Sequence, residues 1–332
     1  GFANLVGGKV HGVQAAGFTN ITMDTVSGAQ IAGFYNHARG TMEGTQVAGF
    51  VNIAEKEQSG GQFAGFANVC FKDINAAQVA GYFNYAKSLK GVQIAGFANA
   101  AMKSTEGSQV AGYVNVGSNL RGSQIAGFVN VTRKKSRGVQ VAGFSNVSTG
   151  SFDGVQVSGF VNYAHKLNGV QVGFINVVTD SIKGVPIGFL SFARKGYFRI
   201  QAEYSNVQPV RVSMKTGVRA FYNSLSLGYT FDDRYSTGYG IGSMINGKRL
   251  AWTFDATGDY FSKNYDSDMD LLARFATGPT IKIGKRLEIF GTANFNYHLF
   301  QTGIGINDQL FSTSRGDFES EGFINWSAGI RY

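Results

Sequence analysis

A nine-residue core, G-x-Q-[VI]-A-G-[FY]-x-N, recurs through the first 192 residues of the 332-residue chain. Repetition this regular restricts the region to folds made by stacking one small unit on itself. Gln recurs from Gln14 to Gln171 at spacings of 15 or 16 residues, after which Pro186 takes its place. Asn recurs from Asn4 to Asn176, with Phe or Tyr two residues before each. Gln124, Phe128 and Asn130, then Gln140, Phe144 and Asn146, represent this structural set in two consecutive units.

A unit of 15–16 residues suits either one coil of a β-solenoid or one spanning strand of a large membrane barrel. Three features favour the solenoid. Gln171-Val172-Gly173-Phe174 is one residue shorter than Gln156-Val157-Ser158-Gly159-Phe160. Such a loss would flip the rest of a continuous strand to its other face, but a bend absorbs it. Ala-Gly is therefore read as an arc between two short strands. The junctions also keep a near-constant length, whereas barrels alternate short turns with long loops. Finally, an apolar residue stands two before the junction Gly in most units: Val26, Met42, Ile74, Leu89, Leu120, Phe152, Leu167 and Ile182. That suits an inward-facing side of a coil better than a solvated hairpin. On this reading Ile/Val, Phe/Tyr and the junction residue form inner apolar columns, so Phe128, Ile125 and Leu120 point into one core. Gln and Asn form ladders along about twelve coils, a rod of roughly 55 Å at ~4.8 Å per coil. The Gln/Asn/Phe set could form a sugar-binding face, but invariance from unit to unit is what self-stacking requires.

From Tyr197 the repeat gives way to longer strands that alternate apolar and polar residues. About eight can be drawn: 198–205, 210–222, 226–231, 239–245, 251–261, 271–283, 287–300 and 324–332. In 287–300, Leu287, Ile289, Ala293, Phe295, Tyr297 and Leu299 oppose Glu288, Thr292, Asn294, Asn296 and His298. Short turns are expected near Tyr222-Asn223, at 246–249 and at 284–286, and longer loops at 232–237, 262–270 and 301–322. This alternation is the outer-membrane barrel pattern. The last strand ends on Tyr332, with Ile330, Ala328, Trp326 and Ile324 behind it at period two. An aromatic terminus of this kind resembles the signal read by barrel-assembly machinery. The polar face carries Arg199, Arg211, Lys215, Arg219, Arg274, Lys282 and Arg331 with Glu203, Asp255, Asp259 and Glu288. An eight-stranded barrel has room inside only for side chains, so these charges must pair and the lumen must be filled.

Composition agrees with an all-β chain: 46 Gly, 3 Pro and 43 Phe plus Tyr. No apolar run reaches the ~18 residues a transmembrane helix needs, which is no argument against barrel strands. The single cysteine, Cys70, forms no internal disulfide and occupies a small-residue position of the repeat. Gly1-Phe2-Ala3-Asn4 is the second half of a unit with no leader features, so more chain is expected upstream. The net charge of +9 belongs to the repeats, where residues 1–196 hold 16 Lys/Arg against 8 Asp/Glu. Much of it lies at junctions such as Arg133-Lys134-Lys135-Ser136-Arg137, read as solvated turns or as a surface for lipopolysaccharide or an acidic partner. No aromatic-plus-basic stacking motif accompanies it, which argues against nucleic acid.

Asp266-Ser267-Asp268-Met269-Asp270 opens like a calcium loop but lacks the following Gly and the Glu at position twelve. Asp266, Asp268 and Asp270 are thus a weak calcium candidate within an acidic external loop. Gly238-Tyr239-Gly240-Ile241-Gly242 opens no helix and reads as strand glycines, not a phosphate site. His11, His37, His165 and His298 lack metal-ligand spacing, and no catalytic set can be placed, so neither an enzyme nor a cofactor is expected.

The tandem array, followed by Gly184-Val185-Pro186-Ile187-Gly188-Phe189-Leu190-Ser191-Phe192 and by Thr216-Gly217-Val218-Arg219-Ala220-Phe221-Tyr222-Asn223, resembles a family of Bacteroidota-type outer-membrane surface-repeat proteins. The resemblance implies an outer-membrane location, a repeat region at 1–192 and a barrel region at 197–332. It implies no catalytic residues. The expected function is a non-enzymatic anchor and scaffold, in contact with outer-membrane lipid, lipopolysaccharide, assembly machinery and other envelope proteins. The alternative is a channel or transport barrel of about twenty strands that uses the repeats as membrane strands.

Overall fold

A computed structural model describes residues 1–230, 234–262, 270–284, 287–301, 310–315 and 318–332. It is all-β: every helix or strand among the described residues is a strand. Two compact units divide after Gly184.

The first unit is a parallel β-solenoid of about twelve coils. In a typical coil a short strand, Val129–Thr132, leads through a charged turn into a longer strand, Ser136–Ala142. Gly143-Phe144 then forms the arc to the next coil. Each strand pairs in parallel with its counterpart one coil on, Asn130 beside Asn146 and Gln124 beside Gln140. A twenty-strand barrel would need neighbouring repeats to run antiparallel, so the parallel pairing decides between the two architectures. The shortened unit is absorbed at its arc: Gln156 still faces Gln171 before it, and Asn162 still faces Asn176 after it.

The coil interior is amides, small residues and one apolar column. Gln124, Asn130, Gln140 and Asn146 are fully buried, and so is Leu120. Val26, Met42, Ile74, Leu89, Phe152 and Leu167 complete the junction column as expected, while Ile182 is half-buried. The other two expected columns are reversed. Ile125 is 45% exposed and Phe128 36%, and Phe144 is likewise outside. The cause is strand parity. With Gln124 inward, Ile125 must face out and Ala126 in. The two-residue arc then places Phe128 outside before Asn130 returns inward. Two glycines per coil allow this stacking. At Gly122 (φ 141°) a Cβ would lie 1.9 Å from the Gly107 carbonyl oxygen, and at Gly127 one would lie 2.1 Å from that of Gly112.

The second unit contains an antiparallel barrel of eight strands. We number them β1 (Tyr197–Ser205), β2 (Val210–Val218), β3 (Phe221–Tyr229), β4 (Tyr235–Asn246), β5 (Leu250–Ser262), β6 (Asp270–Ile283), β7 (Leu287–Gln301) and β8 (Phe318–Arg331). Neighbours pair in order, and β1 closes on β8 with Gln201 opposite Arg331. An additional strand, Phe311–Arg315, pairs with the first half of β8. The turn expected at Tyr222-Asn223 lies instead at Arg219-Ala220. The chain therefore reverses three residues early, and Tyr222, expected on the apolar outer face, is fully buried inside.

Candidate functional surfaces

Three surfaces follow from this geometry: a filled barrel interior, an apolar edge of the solenoid and a charged edge opposite it.

Alternation along the barrel strands sends Phe198, Ile200, Tyr204, Trp252, Phe275, Ile289, Phe295 and Ile324 outward, all at least 43% exposed. Trp326, Ile330 and Tyr332 of the chain terminus join them on the outer face, where the alternation places them. Inward, the charges pair. Arg211 lies 3.1 Å from Asp259 and 3.5 Å from Glu203, Arg274 lies 2.8 Å from Glu203, and Lys215 lies 2.7 Å from Asp255. Arg331 donates to Gln201 at 2.5 Å and its guanidinium covers the Phe290 ring at 4.2 Å. The pocket enclosed by Glu203, Arg211, Lys215, Asp255 and Arg274 is about 10 Å³, room for the centre of one water molecule. Among the described residues this part of the interior is a packed polar core.

Alternation alone does not reveal a second polar cluster at the long-loop end. His298 Nε2 lies 2.5 Å from Asp270 and Nδ1 lies 3.0 Å from Glu321, while Arg234 also pairs with Asp270. Of the calcium candidate, only Asp270 lies among the described residues. Asp270 is the first residue of β6 and turns into the barrel, where His298 and Arg234 occupy its carboxylate. Asp266 and Asp268 lie outside the described residues. No group of three or more His, Cys, Asp or Glu among the described residues could hold a metal ion.

At the short-turn end, the two non-repeat motifs meet on the outer wall of the barrel. Thr216 Oγ1 donates to the Ser191 carbonyl at 2.7 Å, and Asn223 Nδ2 donates to that of Gly188 at 2.6 Å. Phe189 stacks on Tyr239 with ring centroids 4.5 Å apart. The segment Val185–Ala193 thus belongs structurally with the barrel, which is why the units divide before 192.

Inside the solenoid the amides form two continuous ladders of opposite polarity. Each Gln donates to the Gln of the preceding coil, as Gln140 does to Gln124 at 2.8 Å. Each Asn donates to the Asn of the following coil, as Asn130 does to Asn146 at 2.9 Å. Opposed polarity lets the two rows of amide dipoles offset each other along the rod. The Gln ladder leaves a free atom only at its ends, Nε2 of Gln14 and Oε1 of Gln171. Pro186, which has no side-chain amide, replaces the next Gln.

Outside, twelve aromatic rings from Phe2 to Phe174 form a single stack, with centroids from 4.8 to 5.8 Å apart and planes within 25° of parallel. Rings stacked face to face show solvent their edges. The ring faces are covered by their neighbours in the stack. Ile31, Val47, Ile94, Ile125, Val141 and Val172 form an exposed aliphatic row beside it.

The opposite edge carries the charge. All 22 Lys, Arg, Asp and Glu residues between Gly1 and Gly184 fall three to seven positions after a repeat Asn. Basic residues dominate, 14 to 8. A groove of about 780 Å³ opens on this edge, lined in part by Glu106, Asn119, Arg121, Lys135 and Arg137. Cys70 is buried in the coil beside Ala54 and Ala86, and burial pushes its thiol up to about 11. It is a packed small residue in an unreactive state.

No protein family, curated protein or solved structure matches the chain.

Proposed function

We propose that the chain is a non-enzymatic integral outer-membrane anchor and scaffold, fixed by its C-terminal barrel and presenting the repeat rod to other envelope components. One observation carries this reading. A closed eight-stranded barrel has its apolar side chains outward and its charges paired inward. Such a surface is unfavourable in water and suited to hydrocarbon. Pairing of β1 with β8 also joins the two edges of the sheet, as a spanning barrel requires. Lipid and lipopolysaccharide contact the wall, and the barrel-assembly machinery reads the alternating strand β8. A filled lumen fits an anchor and opposes the channel alternative. Density-gradient separation of envelopes tests the location. The chain should band with the outer membrane and resist carbonate extraction. Release by carbonate, or banding with the inner membrane, would refute it.

A further inference from the structure

The solenoid has two edges of opposite character, and only one suits water. The charge pattern above leaves the aromatic ladder, the aliphatic row and the outward residues flanking Asn free of Lys, Arg, Asp and Glu in every coil. These outward residues include Val51 and Ile53, Val114 and Val116, Val129 and Val131, and Val161 and Tyr163. The ring stack runs over all twelve coils, and the positions flanking each Asn are apolar or aromatic except at Thr19, His37 and Ser145, far beyond a scattering of exposed apolar residues.

We propose that this phenylalanine edge lies buried in the acyl chains of one membrane leaflet, with the rod parallel to the membrane plane and its charged edge at the headgroups. The inference rests on the outer-membrane reading above.

Dimensions support a single leaflet. At ~3.3 Å per residue, the four-residue side from Val129 to Thr132 is about 13 Å deep. That is close to half of a hydrocarbon core of about 30 Å. The rod itself, roughly 55 Å long at ~4.8 Å per coil, would overrun the bilayer if it stood upright.

The backbone donors of the arc are paired. The N–H groups of Gly127, Phe128 and Val129, at the tip of the edge, donate to the Ala111 and Tyr113 carbonyls of the previous coil at 3.0–3.2 Å. In this arc every backbone donor is therefore paired, and the Gly127 carbonyl, which accepts no backbone N–H, is the one polar group it brings into hydrocarbon. The inward amides are paired within their ladders. Charge complementarity sets the orientation: a basic excess at the far edge meets anionic lipid phosphates when the aromatic edge is submerged.

The test uses the full chain carrying Cys70→Ala, with a nitroxide on Phe128→Cys. It is reconstituted at low density in vesicles of phosphatidylethanolamine and phosphatidylglycerol. Matched chains carry the label at Lys134→Cys on the charged edge and at Ile324→Cys on the barrel wall. Collision with oxygen, which partitions into hydrocarbon, is compared with collision with a water-soluble nickel chelate. The ratio should favour oxygen at 128 and 324 and invert at 134, within the same coil as 128. Nickel access at 128 with oxygen access at 324 overturns the proposal and leaves the anchor standing. Nickel access at both positions removes the anchor reading as well. Protection from both reagents at 128, with dipolar broadening between labels on different chains, assigns the edge to a second copy and also overturns the proposal. Should Phe128→Cys fail to fold, Ile125→Cys on the aliphatic row is read in the same way.

Discussion

Asn130 donates its side-chain amide to the Oδ1 of Asn146 at 2.9 Å, and this bond, repeated coil by coil, is the axis on which the solenoid is built. The same Nδ2 group also reaches the Gln124 and Val141 carbonyls, at 3.2 and 2.7 Å. The side chain thereby ties together both strands of its coil and the coil above.

Asn130→Ala should therefore cost more than Phe128→Ala. The first leaves the acceptor of Asn146 unpaired and the amide of Asn115 without its Asn partner, each worth about 1–3 kcal/mol when buried. The second removes an outward ring stacked on Tyr113 and Phe144, worth about 1 kcal/mol beyond its area in detergent solution. Hydrogen exchange of the two variants gives the order. A larger loss of protection from Phe128→Ala would mean that the coil is inside out.

Gly122→Ala should force coils apart. The new Cβ would lie 1.9 Å from the Gly107 oxygen in a backbone conformation that L residues avoid. Protection should fall across neighbouring coils near 107–138 while 197–332 stays protected. An unchanged exchange pattern would contradict the close stacking.

The apolar and amide columns show how legible the sequence is. Period, junction column, arc position and the amide ladders could all be read from residue types, because a self-stacking coil repeats whatever it buries. The direction of Phe128 could not be read by hydrophobicity alone. Hydrophobicity sends apolar residues inward, yet Gln124 and Asn130 hold the inside and strand parity sends Ile125 out. The 22 charged residues, all three to seven positions after an Asn, carried the missing signal, for they mark the edge that faces water. In the barrel, alternation sorted the two faces of most strands correctly. It failed at Tyr222, where nothing in the pattern marks Arg219-Ala220 as the turn. The cluster around His298 depends on contacts between distant strands, which alternation cannot supply.

Cys70 should resist maleimide in the folded protein and react on unfolding, because its thiol is buried and held up to about 11. Thiol labelling with and without denaturant checks this. Rapid labelling of the native chain would show that the coil opens at that position.

In the barrel, Lys215→Met leaves Arg331, 3.8 Å away, as the cation beside Asp255 among the described residues, and should destabilise by about 3–5 kcal/mol. Lys215→Met with Asp255→Leu should recover most of that loss. The temperature at which the band shifts on a semi-native gel reports both. Equal losses in the single and double variants would mean that the pair is not what holds the lumen closed.

The filled lumen is tested most directly by planar-bilayer recording of the purified full chain. Paired charges around a space of about 10 Å³ predict insertion without stepwise conductance at any applied voltage. Reproducible single-channel steps from the purified chain would contradict the anchor and restore a transport role.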